Sequence, residues 1–180
     1  SDAPPEQAQA AVRKTSVDML SLLPASTALA TLDRQLGARS GMGLIIRNAL
    51  RALADRYDYA LLDCPPMLGI LMVNALAASD ELLVPVQTEF LALKGLERMA
   101  HTLGMIQRSR QSELPWRIVP ALFDRRTRAS VEAIRELRAT YGARVWPAAI
   151  PVDTQFREAS RSGLPLTVAQ PWARGSQAYR

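Results

Sequence analysis

The chain has 180 residues, 48% apolar and 22% charged, with net charge +5, 9 Gly, 12 Pro, one Cys and one His. That balance is too apolar for intrinsic disorder and too mixed for a coiled coil, and the length suits one domain burying roughly two thirds of its unfolded surface. No apolar run reaches the roughly 18 residues of a transmembrane helix, lone Cys64 excludes a disulfide framework or Cys-based zinc site, and lone His101 leaves no histidine cluster.

Residues 1–14 are polar around Pro4-Pro5 and are expected to be a mobile lead-in. They show no basic-then-apolar signal pattern. With no Met at position 1, the chain is expected to begin downstream of its gene's start. Val17 to Leu23, ended by Pro24, predicts a strand, and Ser26 or Thr27 caps a predicted short helix through Leu36. Leu44, Ile45, Leu50 and Leu53 recur at near-helical spacing, predicting a helix to about Arg56. Tyr59-Ala60-Leu61-Leu62 reads as a buried parallel strand ending at Asp63. A helix around Asn74 to Ala78, a strand over 81–86, a long helix from Leu91 to Arg110 and a strand over 117–123 follow. Next come a helix from Thr127 to Thr140, a strand from Val145 to Ile150, a short helix through Ser160 and a last helix beginning at Gly175. Strands alternating with helices predict an α/β fold: a mostly parallel sheet with helices on both faces, in one domain over 1–180.

Chemistry belongs at the carboxyl ends of such strands. Three of them end in polar turns: Asp63-Cys64-Pro65-Pro66, Phe123-Asp124-Arg125-Arg126-Thr127 and Pro151-Val152-Asp153-Thr154. An acid directly after a strand can hold hydrated Mg²⁺ beside a phosphate, or it can simply end the strand or cap a helix. Charge is uneven along the chain: residues 1–97 carry 8 basic and 11 acidic groups, residues 98–180 carry 14 and 6. The basic half is either a solvated surface or a face for phosphate backbones and acidic partners. Cys64 has no accompanying base and reads as a small buried residue. His101 reads as ordinary surface or core, and Trp116, Trp146 and Trp172 as packing residues. Leu93, Leu96, Met99, Leu103 and Ile106 are spaced as one helix's core face.

The blocks from Tyr57-Asp58-Tyr59 to Pro66, Asn74-Ala75-Leu76, Pro85-Val86-Gln87, Phe123 to Thr127, Ile150 to Asp153, Phe156 to Ser160 and Gly175 to Tyr179 keep one register. In that register the chain resembles the ParA/MinD superfamily of partitioning ATPases, deviant P-loop proteins. ALFDRRTRAS and IPVDTQFREAS are most similar to the chemotaxis-associated, ParC-like branch. Val152-Asp153 and Arg161-Ser162-Gly163 stand where plasmid and chromosome partitioning proteins usually differ. The resemblance implies a P-loop NTPase-like fold, with Asp63 as the Walker B acid acting on Mg²⁺ through water. It places Phe123, Asp124, Pro151, Val152 and Asp153 beside the adenine of ATP, and makes 65–69 a mobile turn near a dimer interface. It also implies an ATP-bound homodimer in the cytoplasm, at the cell pole for the chemotaxis branch, with a chemotaxis array or polar adaptor protein as partner. A non-specific DNA or partner face would draw on Arg125, Arg126, Arg128, Arg135, Arg138, Arg157, Arg161 and Arg174. No Gly-rich loop with a Lys precedes Asp63, so the N-terminal strand, P-loop and helix are absent from these residues. The expectation is a fragment inactive alone; the alternatives are a non-enzymatic adaptor that has lost hydrolysis, or a plasmid or chromosome partitioning ATPase.

Overall fold

The computed structural model describes residues 5–26, 28, 44–64, 69–109 and 113–180. They fall in two compact units, Ser1–Asp80 and Glu81–Arg180. The predicted helix through Leu36 and the turn over 65–68 lie outside the described residues.

In the first unit, α1 (Pro5–Ala11) leads into β1 (Arg13–Lys14), which pairs antiparallel with β2 (Ser21–Leu22). Thr15 closes the turn between them: its Oγ1 donates to the Leu20 carbonyl at 2.9 Å and accepts from the Val17 N–H at 3.1 Å. The expected strand from Val17 to Leu23 therefore shrinks to Ser21–Leu22, because residues 15–20 are spent on the reversal. Helices α2 (Ile45–Arg51) and α3 (Ile70–Ala78) are joined by buried Asn74. Its Nδ2 donates to the Ile70 carbonyl at 2.9 Å and its Oδ1 accepts the Ile45 N–H at 3.0 Å, satisfying a donor that a helix start leaves open.

The buried strand expected at 59–62 does not form. Tyr59 is 90% and Leu61 92% exposed, and among the described residues no strand pairs with this segment. Without a ladder its backbone groups need water, and the side chains stay out with them.

The second unit is built on two parallel strands, β3 (Leu82–Gln87) and β4 (Trp116–Ala121), in register from Leu82↔Trp116 to Gln87↔Ala121. The 20-residue α4 (Phe90–Ser109) makes the crossover that parallel pairing requires. Val84, Val86 and Ile118 on the strands meet Leu93 and Leu96 of α4, Ala133 and Leu137 of α5 (Arg128–Tyr141), and Val145. Ile118 is fully buried and Leu137 nearly so, each contributing about 1.5–3 kcal/mol. The predicted core face of α4 is present: Leu93, Leu96 and Leu103 are buried and Met99 packs against them. α5 starts where Thr127 caps it, Oγ1 accepting the Ser130 N–H at 3.4 Å. It ends at Gly142, whose φ of 52° with ψ of −124° is a backbone conformation that favours glycine.

Leu82 and Thr88 send their N–H groups toward β4, to the carbonyls of Pro115 (2.9 Å) and Ala121 (3.1 Å). By alternation Leu83, Pro85 and Gln87 face the other edge, where Pro85 removes the middle donor.

The strand expected from Val145 to Ile150 is reduced to isolated parallel bridges, Ile118↔Val145 and Phe123↔Pro151. Trp146 donates to the Ile118 carbonyl and Ile150 to that of Pro120, both at 2.8 Å. Four residues of this segment thus advance against two of β4. Pro147 has no N–H for the ladder and Pro120 offers none to the segment, so the intervening residues bulge out. Beyond the bulge lie three short C-terminal helices: α6 (Gln155–Ser162), α7 (Leu166–Ala169) and α8 (Arg174–Gln177).

Candidate functional site

Past the bulge the two strand ends close again. Phe123 donates its N–H to the Ile150 carbonyl at 2.9 Å, and Val152 donates to the Phe123 carbonyl at 3.1 Å. Phe123, Pro151 and Val152 are therefore brought side by side, with Val152 46% exposed and Phe123 half-buried. This apolar strip is flanked by two carboxylates, and both already have work in the fold.

Asp124 is gripped by Arg126. The arginine Nε donates to Oδ1 at 2.9 Å, Nη2 to Oδ2 at 2.8 Å, and the Arg126 backbone N–H to Oδ1 at 3.0 Å. The Arg126 side chain, then its backbone N–H, pull the Asp124 pKa down to about 2. Asp153 accepts the Gln155 N–H at 2.9 Å and the Gly175 N–H at 2.8 Å, so one carboxylate ties the starts of α6 and α8. Those two N–H groups hold its pKa below the ordinary value. The positive field of exposed Arg174 acts on both carboxylates in the same direction.

The sequence-predicted arginines divide into two kinds. Arg125, Arg126, Arg128 and Arg135 line one open groove of about 510 Å³ with Thr127, Val131 and Glu132. Arg126 pairs with Asp124 and Arg128 with Glu132 (Nε–Oε1 2.6 Å), while Arg125 and Arg135 form no ion pair among the described residues. Arg138 lies along the same helix but donates to the Pro147 carbonyl at 2.9 Å. Arg157 and Arg161 are exposed on α6.

Asp63 lies in the first unit, exposed, at the end of the unpaired 59–62 segment. Cys64 beside it is partly buried. Its Sγ donates to the Leu62 carbonyl at 3.6 Å, and burial, then the Asp63 charge, push its pKa up, which favours the protonated thiol over the nucleophilic thiolate. His101 is exposed. Trp116 packs edge-on against Tyr141 with Arg144 at 4.9 Å, and Trp146 lies under Arg117. Trp172 departs from the packing role expected of it, being 83% exposed with Arg180 over its ring.

Two residues at the site escaped sequence reasoning. Thr88 and Ser130, both buried, lie behind the 122–127 turn with their hydroxyls in hydrogen-bond contact. The only signals were position: Thr88 directly follows a strand, and Ser130 stands three residues after the cap Thr127.

The AAA domain family matches residues 5–116. The chain is 32% identical over 169 residues to the sporulation initiation inhibitor protein Soj of Bacillus subtilis, covering 93% of this chain and 67% of that protein. It is 35% identical over 169 residues to the chromosome partitioning protein ParA of Caulobacter vibrioides, covering 92% and 63%. Among solved structures, cobyrinic acid a,c-diamide synthase of Mycobacterium smegmatis with bound ADP and magnesium superposes with a TM-score of 0.78 at 28% identity, over 95% of this chain and 63% of that one. Apo McdA of Cyanothece superposes with a TM-score of 0.81 at 17% identity, over 95% and 71%. The fold is therefore the α/β fold of P-loop NTPases. Within that class, the chain belongs to the ParA superfamily of partitioning ATPases. It spans roughly 61–67% of the length of the first three curated relatives it matches.

Proposed function

We propose that this chain serves an ATP-dependent partitioning protein of the chromosome or plasmid type, which positions its cargo through a nucleotide-switched dimer on DNA. The observation that carries the reading is the pairing of Phe123-Asp124 with Pro151-Val152-Asp153, beside a groove with four arginines. Within the second unit the residues fit part of a nucleotide site. The strip of Phe123, Pro151 and Val152 offers an apolar wall to a base, and the engaged carboxylates fix its shape. In the first unit, taken by itself, Asp63 is an exposed carboxylate at the end of the 59–62 segment and suits a water-mediated hold on Mg²⁺. Residues 1–180 supply no Gly-Lys loop for the phosphates. In the groove Arg125 and Arg135 would meet the phosphate backbone, with Arg126 and Arg128 exchanging their carboxylate partners for it; Arg157 and Arg161 extend the basic surface.

The test is binding of a fluorescent 30-base-pair duplex across a salt series. Binding should weaken steeply with salt, and Arg125→Ala with Arg135→Ala should flatten the log–log slope by about 2. A salt-independent interaction, or an unchanged slope in the double variant, rejects the DNA face. In parallel, the 180-residue chain should show no ATP turnover above background.

A second reading, positioning of chemotaxis arrays at the cell pole through an array or adaptor protein, is favoured by one feature. The segments ALFDRRTRAS and IPVDTQFREAS are most similar to that branch. Imaging a fluorescent fusion distinguishes the two: nucleoid-associated patterns support the first, polar foci that follow the receptor arrays the second.

A further inference from the structure

We propose that the buried hydroxyls of Thr88 and Ser130 are positioning residues, which together hold the strained turn at Leu122 and so fix Phe123, Asp124 and Arg125 toward a bound ligand. The inference rests on reading residues 123–126 as the ligand-facing turn. Leu122 has a φ of 52°, a left-handed conformation that leucine rarely adopts and keeps only where its surroundings over-determine it. Packing does not supply that constraint, because the Leu122 side chain is 47% exposed. Hydrogen bonds do.

Thr88 Oγ1 donates to the Leu122 carbonyl at 3.4 Å, and Ser130 Oγ accepts the Asp124 N–H at 3.2 Å. The two hydroxyls touch each other. Each carries one proton. With the Thr88 proton on the Leu122 carbonyl, the contact between them must be Ser130 donating to Thr88. The chain then runs in one direction, from the Asp124 N–H through Ser130 and Thr88 to the Leu122 carbonyl, and every donor in it is used. It spans both sides of Phe123 and anchors them to the end of β3 and the first turn of α5. The Thr88 N–H adds a bond to the Ala121 carbonyl at 3.1 Å.

A Val–Ala pair would fill similar space but would leave the Asp124 N–H and the Leu122 carbonyl without these partners, so the two hydroxyls serve the turn itself rather than the bulk of the core. What the hydroxyls add is a definite place for the turn. Arg126 depends on that place, since its grip on Asp124 requires the Asp124 backbone to be fixed, and Arg125 leaves the turn from the next position.

The test compares Thr88→Val, Ser130→Ala and Thr88→Ser in the full chain by two measurements. One is amide hydrogen exchange at Asp124, with the Leu137 amide in the core of α5 as the reference for global stability. The other is affinity for the 30-base-pair duplex. Thr88→Val and Ser130→Ala should speed Asp124 exchange about tenfold beyond any change at Leu137, and weaken duplex binding about threefold or more. Thr88→Ser keeps the hydroxyl and should restore both toward wild type. Equal changes at Asp124 and Leu137, or identical behaviour of Thr88→Val and Thr88→Ser, overturn the inference. Absence of duplex binding by the wild type would reject the arginine surface as a DNA face, while the exchange comparison would still decide whether the hydroxyls hold the turn.

Discussion

At the residue scale, the carboxylates that the sequence marked as binding groups turn out to be engaged as anchors. Asp124 is held by Arg126 at about pH 2 and above, whereas an ordinary aspartate protonates near 3.8. A depressed folded-state pKa means that its contribution to stability is complete above about pH 4 and disappears as pH falls toward 2. Carbon-detected titration of the Asp124 carboxyl should show this low midpoint, and Arg126→Ala should bring it back toward the ordinary value. Gly175 carries a different constraint. A Cβ there would sit 2.5 Å from Phe156 Cε2 and 2.9 Å from Leu166 Cδ2, and the Phe156 ring is itself set edge-on against Tyr179. Gly175→Ala should therefore destabilise by about 1–3 kcal/mol in urea unfolding, and should shift the Asp153 carboxyl upward by disturbing the Gly175 N–H that it accepts. The sequence singled out Asp124 and Asp153 by their positions at the ends of predicted strands. Their actual partners, a neighbour two residues on and a glycine 22 residues on, follow from turn geometry and chain return that a linear pattern does not encode.

At the scale of elements, legibility followed how local the cause was. β3, α4, β4 and α5 were readable because alternation, helical spacing and the Thr127 cap act within a few residues. The 145–150 segment was misread because its apolar run outweighed Pro147, and because the second interruption, Pro120, lies on the neighbouring strand. The 59–62 run was misread for a related reason: an apolar stretch announces a strand, yet only a paired neighbour makes one. Helix α5 is the element on which function can be tuned without touching the core. Its Arg128–Glu132 pair is exposed, spaced i,i+4, and worth no more than about 0.5 kcal/mol to the helix. Glu132→Gln should thus leave the urea midpoint nearly unchanged while freeing Arg128. Duplex affinity should rise about twofold to fivefold at low salt, and the gain should fade as salt is raised.

At the scale of the whole molecule, the family and fold class were legible because several motif blocks kept one register along most of the chain. The division into two units was not, since nothing in composition changes at Asp80–Glu81. The second unit contains its own complete core, from Val84 through Leu137 to Val145. Residues 81–180 expressed alone should accordingly unfold in one cooperative urea transition; a broad, non-sigmoidal loss of signal would show that the core needs the preceding residues. Among the described residues no helix is long and apolar enough to cross a membrane. The Thr88–Ser130 contact also has a meaning in time. It joins residues 42 apart, on either side of the crossover helix and the second strand, so closing it carries a loop-closure cost that contacts within α4 or α5 do not. If it forms after the rate-limiting step, Ser130→Ala should leave the folding rate almost untouched and speed unfolding, so that the latch governs the lifetime of the site rather than the speed of its making.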